Sequence, residues 1–176
     1  MKAVLDVHYI DDLAQAACVT FNSWTDAESL ATSRITIPGP RPYRPGHFFE
    51  RELPPLLAVL EDCNEEFSHI IVDGFVHLKS GKPGLGASLH DALPYPPAVI
   101  GVAKSPLAAA DRFEPVLRGR SSKPLFVSAV GIDLDEATAA IDAMHGPYRI
   151  PTLLRLADQI ARGVRSGIDG KGERLL

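Results

Sequence analysis

The chain has 176 residues, 45% of them hydrophobic and 23% charged, the proportions of one ordinary globular domain. This composition excludes a disordered chain, and the lack of any run of about 18 apolar residues excludes a membrane-spanning helix. A net charge of −4 excludes whole-molecule attraction to nucleic acid, so any such contact needs a local basic patch. "KAVLDVHY" and "AQAACVTFNSW" read as strands joined by the turn "IDDL", a spacing that predicts an antiparallel hairpin. The first of these meets Asp6 too soon for a signal peptide. Cys18 and Cys63 form neither a disulfide framework nor a zinc spacing, so a reducing cytoplasm is the expected compartment. "ATSRITIP" supplies a third strand, and the proline- and glycine-rich "PGPRPYRPG" must be a loop.

Helical spacing of Phe49, Leu53, Leu56, Leu57 and Leu60 predicts a helix in the segment that follows. Its regular part is expected to begin only at Pro54 and Pro55. "HIIV" is a buried strand that runs into Asp73 and Gly74. "KSGKPGLGASLHDAL" reads as a glycine-rich loop and a short helix, and "PAVIGVAKS" as an apolar strand ending in Lys104. "FEPVLRGRSSKPLFVSAVG" predicts a hairpin turning near Ser121 and Ser122. "DLDEATAAIDAMH" and "IPTLLRLADQIARGVR" close the chain as helices, the first with an acidic start that suits the helix dipole. The order predicts an α/β domain over residues 1–166, a mixed sheet with helices on its faces, and a polar tail from Gly167 that frays.

Two strands are expected to end in carboxylates, Asp6 after "KAVL" and Asp73 after "IIV". As sheet neighbours they would meet, and close like charges raise each other's proton affinity unless a cation intervenes. A hard divalent ion is one answer, since Mg²⁺ commonly takes one or two carboxylates with water and phosphate. The alternative is that Asp73 begins a turn and caps local N–H groups. Lys104, at the end of a third strand, either offsets charge on a phosphate or is a surface lysine. Arg118, Arg120 and Lys123, around the later hairpin, are either phosphate contacts or a solvated face.

The string "RPYRPGHFFERELPPLL", with "DVHY", "VDG", "IGVAKS", "RGRSSKPLFVS" and "YRIP…RLAD" around it in order, resembles the endonuclease V family. The blocks run from Asp6 to about Asp158. The resemblance implies a ribonuclease H-like fold and Mg²⁺-dependent cleavage, with Mn²⁺ as a substitute, of a phosphodiester near deaminated adenine. The substrate would be deoxyinosine in DNA or inosine in RNA. It implies that Asp6 and Asp73 are metal ligands, that Glu52 orients or deprotonates the attacking water, and that Lys104 lies near the scissile phosphate. Pro42, Tyr43, Arg44 and Pro45 match the family's strand-separating wedge. Gly74 and the stretch Gly84 to Ala87 fall where it builds its base pocket. The chain departs from the pattern at Phe75, which replaces the first histidine of V-D-G-H-G-x-x-H-P, and His77 falls early for the second. His77 or His90 would have to substitute in space, or neither does. The early end after the last helix resembles a shorter, divergent branch.

Overall fold

The computed structural model describes residues 1–39 and 48–164, together with the backbone pairing of 174–175; of 48–50 only the backbone is described. In chain order the elements are β1 (Lys2–Ile10), β2 (Leu13–Phe21), β3 (Ala31–Pro38), α1 (Phe48–Cys63), β4 (His69–Val72), β5 (His77–Leu78), β6 (Lys82–Pro83) and α2 (Leu85–Ala92). There follow β7 (Ala98–Ala103), β8 (Ala110–Asp111), β9 (Phe113–Val116), β10 (Leu125–Val130), α3 (Leu134–Ala143), α4 (Thr152–Ala161) and β11 (Arg174–Leu175).

The main sheet has the order β11-β3-β2-β1-β4-β7-β10-β9. β1, β2 and β3 form the antiparallel meander, and β4 joins β1 in parallel, as does β7 to β4. This is the expected mixed sheet. Alternation along the strands divides its two faces. Ala3 and Leu5 of β1, Ala16 and Cys18 of β2, and Ile70 and Val72 of β4 pack under α1 and α2. Val4, Ala17, Val19 and Ile71 face α3 and α4, against Ile141, Leu153, Ala157 and Ile160. Asp133 caps α3 by accepting from the Asp135 N–H at 2.9 Å, with Asp135 and Glu136 in its first turn.

Three expectations change. First, α1 begins at Phe48, so Pro54 and Pro55 lie inside it and not at its start. Second, the segment after Asp73 contains more order than its glycines suggest: β5, β6 and β8 form a small separate sheet. It is anchored where the Val76 N–H donates to Ser128 Oγ at 3.0 Å. There the chain lies directly on β7 at Gly101, where a Cβ would stand 2.4 Å from the Gly74 carbonyl oxygen. Only glycine permits that approach. Third, β1 does not stop at Asp6 but runs on to Ile10. β4, its partner on one side, ends at Val72 opposite Leu5. Asp6 therefore sits at the rim because its neighbour ends there.

Candidate active site

Strand register brings the candidate residues together. Leu5 pairs with Val72, and Val72 with Gly101, so Asp6, within β1, and Asp73, just past the end of β4, stand side by side. Lys104 follows the last residue of β7, and its Nζ lies 2.6 Å from Asp73 Oδ2. The Arg149 guanidinium holds the Lys104 backbone in place by donating to its carbonyl and to that of Pro124, the latter at 2.7 Å. Glu52 reaches the same spot from α1 and is 8% exposed.

Asp6, Asp73 and Lys104 form a ridge between two hollows. One, of about 720 Å³, runs past Glu52, Gly74, Phe75, Gly84 and Leu85 toward Leu107. The other lies on the opposite face of the sheet and carries Arg155 and Asp158 of α4. Burial, then repulsion from Asp73, pushes the Asp6 carboxyl up to about 7. Burial also lifts Glu52 to about 7, with Asp6 and Asp73 adding repulsion and the Tyr9 hydroxyl opposing the rise. Burial works against the charge on Lys104, but its bond to Asp73 and the field of Asp6 and Asp158 hold its pKa above the usual lysine value. The site thus contains more carboxylate charge than Lys104 offsets.

That imbalance is what a cation site requires. Asp6 and Asp73 present hard oxygen donors at one rim, and Mg²⁺ commonly binds to one or two such groups. Among the described residues no group of three or more His, Cys, Asp or Glu side chains is placed to hold a metal ion. The fit rests on the two carboxylates alone, and with so few protein ligands a hard cation would need waters or a substrate oxygen to complete its shell.

The model of the endonuclease V family matches residues 2–120. The chain belongs to the endonuclease V family. The endonuclease V of Streptomyces avermitilis is 34% identical over 184 residues, covering 90% of this chain and 77% of that protein. The endonuclease V of Pyrococcus horikoshii is 32% identical over 164 residues, covering 92% and 72%. The crystal structure of the Streptomyces avermitilis endonuclease V superposes with a TM-score of 0.74 at 30% identity, covering 92% of this chain and 79% of that one. The Ciona intestinalis endonuclease V, crystallised with a 23-mer DNA containing an inosine followed by a ribo-adenosine, gives 0.79 at 19% identity, with 93% and 84% covered. These likenesses establish the ribonuclease H-like fold.

Within this endonuclease V frame the structure brings Asp6, Glu52, Asp73 and Lys104 together, with Gly74, Gly84 and Leu85 along the larger hollow. Pro42, Tyr43, Arg44 and Pro45 lie outside the described residues. Phe75 is buried in an aromatic cluster, its ring 5.4 Å from that of Phe113. His77 is held in the small sheet opposite Pro83 and Asp111 and lines neither hollow. His90 Nδ1 lies 2.8 Å from the Pro97 carbonyl, at the end of β7 away from Lys104. Neither histidine lines the hollows beside Asp6 and Asp73. Asp158, which the sequence reading left without a role, faces Asp6 and bonds Arg162 at 2.9 Å. Its signal was its place at the end of the "RLAD" block.

Arg118 takes neither of the two roles the sequence allows, phosphate contact or solvated face: it is 4% exposed. Its guanidinium donates to the carbonyls of Tyr148 at 3.1 Å, Asp142 and Arg149 at 3.3 Å, and Met144. A buried fork with four of its five N–H groups given to backbone carbonyls is a structural clamp, not a phosphate contact. Lys123, by contrast, is exposed on the β9–β10 loop, away from both hollows. Arg118→Ala should lose on the order of 3 kcal/mol of stability, because several carbonyls lose a charged donor at once. Denaturant unfolding measures this, and a loss below about 0.5 kcal/mol would mean the carbonyls find other partners.

Proposed function

We propose that the chain is a divalent-metal-dependent endonuclease that hydrolyses a phosphodiester near deaminated adenine, in DNA as deoxyinosine or in RNA as inosine. The observation that carries this reading is the convergence of Asp6, Asp73 and Lys104 on one ridge between two hollows, with Glu52 facing them from the larger one. Membership of the endonuclease V family supports it. So does the inosine-containing DNA bound by the Ciona intestinalis relative.

Asp6 and Asp73 are the residues that would hold Mg²⁺ or Mn²⁺. The bound ion supplies positive charge that acidifies water and offsets charge on the phosphate. Glu52, reaching in from α1, orients the attacking water and accepts its proton. Lys104 has three N–H donors and gives one to Asp73, so it can also donate to a phosphate oxygen. The larger hollow, with Gly74, Gly84 and Leu85 on its wall, receives the altered base. The wedge role of Pro42–Pro45 rests on the family resemblance.

Phe75, packed on Phe113 where the family pattern has a histidine, favours a second reading in which the chain binds such nucleic acid without cutting it. One assay separates the two. Single- and double-stranded DNA and RNA, each with and without one inosine, are incubated with Mg²⁺ or Mn²⁺ and the product ends are mapped. Cleavage at a fixed distance from inosine supports the nuclease. Retention of inosine strands without cleavage supports the binder. In the nuclease, Lys104→Ala should slow single-turnover cleavage by about 10²-fold while oligonucleotide affinity changes far less. A loss confined to affinity would remove Lys104 from the chemistry.

A further inference from the structure

The two prolines of α1 remove two helical donors, those for the Glu50 and Arg51 carbonyls, and leave the Arg51 carbonyl without an alternative one turn tighter. The Arg51 carbonyl would accept from the N–H of residue 55, or of residue 54 in a tighter turn, and both are proline. In place of either, the Tyr9 hydroxyl, from β1 beneath the helix, donates to it at 3.0 Å. The Arg51 guanidinium stacks over the Tyr9 ring at 3.9 Å, and its Nε is buried without a hydrogen-bond partner among the described residues. Glu52 is the next residue. Its carboxyl is near enough to the Tyr9 hydroxyl for each to shift the other's proton affinity. One phenol thus closes the gap in the helix and touches the residue that leans over Asp6 and Asp73.

We infer that Tyr9 is a positioning residue: its hydroxyl replaces the helical donor lost at Pro54 and Pro55, and so fixes Glu52 over the two aspartates. The inference rests on the endonuclease reading for its effect on cleavage, but not for its effect on the helix. An ordinary helix would hold Glu52 by its own ladder. Here the ladder is interrupted one residue before Glu52, and the repair comes from the strand that carries Asp6. The strand that carries Asp6 is thereby tied by a single hydrogen bond to the helix beside Glu52.

The test uses Tyr9→Phe, which keeps the ring under Arg51 and removes the hydroxyl, alone and combined with Pro55→Ala. The second change gives residue 55 a backbone N–H that can reach the Arg51 carbonyl. Two quantities are read: kcat and KM on an inosine oligonucleotide, and amide exchange of the peptide spanning residues 51–57 in metal-free protein. Tyr9→Phe should lower kcat about fivefold to tenfold, the share of one hydrogen bond, with KM unchanged. Exchange in the peptide should quicken several-fold. Adding Pro55→Ala should restore both toward wild type. Unchanged kcat and exchange in Tyr9→Phe overturn the inference, as does a defect carried by KM or one that Pro55→Ala fails to reverse. If wild-type protein cleaves no inosine substrate, the endonuclease reading fails, and the exchange measurement still decides the role of the hydroxyl.

Discussion

Asp73→Asn should abolish cleavage, by on the order of 10³-fold or more, and leave the fold intact. Asparagine keeps the shape but removes the charge that a divalent ion needs at this rim, and several kcal/mol of electrostatic stabilisation correspond to at least that factor. Its cost in stability is small. Asp73 and Lys104 are 42% and 46% exposed, and ion pairs so open to solvent contribute about 1 kcal/mol or less. Relief of repulsion is expected at Asp6 and not at Asp73, because Asp73 already has Lys104 as its partner and Asp6 is the desolvated member. Asp6→Asn should therefore raise the melting temperature at pH 8 while also stopping cleavage, the trade expected where a site stores unfavourable charge. Single-turnover cleavage and thermal unfolding of both variants check this. Cleavage within tenfold of wild type in either would remove that aspartate from the mechanism.

The second large effect is on stability against pH in metal-free protein. Asp6 and Glu52 titrate near 7 in the folded chain and near their ordinary values of 3.8 and 4.5 when unfolded. Between about pH 4 and pH 7 the folded protein holds protons that the unfolded chain has released. Protons therefore favour folding there, and the stability they supply is lost as pH rises through 7. The shifts correspond to roughly 4 kcal/mol for Asp6 and roughly 3 kcal/mol for Glu52, and the pair to less than the sum, since each shift includes the other's charge. With chelator present, the melting temperature should fall by roughly 5–10 °C from pH 5 to pH 8. Asp6→Asn with Glu52→Gln should flatten the slope. A melting temperature that is level or rising with pH across this window would mean that the two carboxyls are not desolvated as described.

Much of this site could be read from residues in order along the chain. The strand ending in Asp73 and the one ending in Lys104 announced themselves by apolar runs that stop abruptly. The hairpin of β1 and β2 followed from spacing, and its register then fixed where Asp6 stands. What escaped was whatever depends on distant segments meeting. Asp6 lies mid-strand, and its exposure at the rim is a property of β4's shortness. Arg118 looks like any arginine in a polar turn; only the packing of the α3–α4 connection over it turns its fork toward carbonyls. Pro54 and Pro55 read as a helix start because a local rule forbids them within one. The structure tolerates them since a tyrosine 42 positions from Arg51 supplies one missing donor. Asp158 stood out only as the end of the "RLAD" block, because an acidic residue on an amphipathic helix ordinarily faces solvent.

The most direct test of the central claim is anomalous scattering from crystals soaked in Mn²⁺ at neutral pH. A Mn²⁺ peak in contact with carboxylate oxygens of both Asp6 and Asp73 is the predicted result. Full Mn²⁺ exposure with no peak at these two side chains would contradict it.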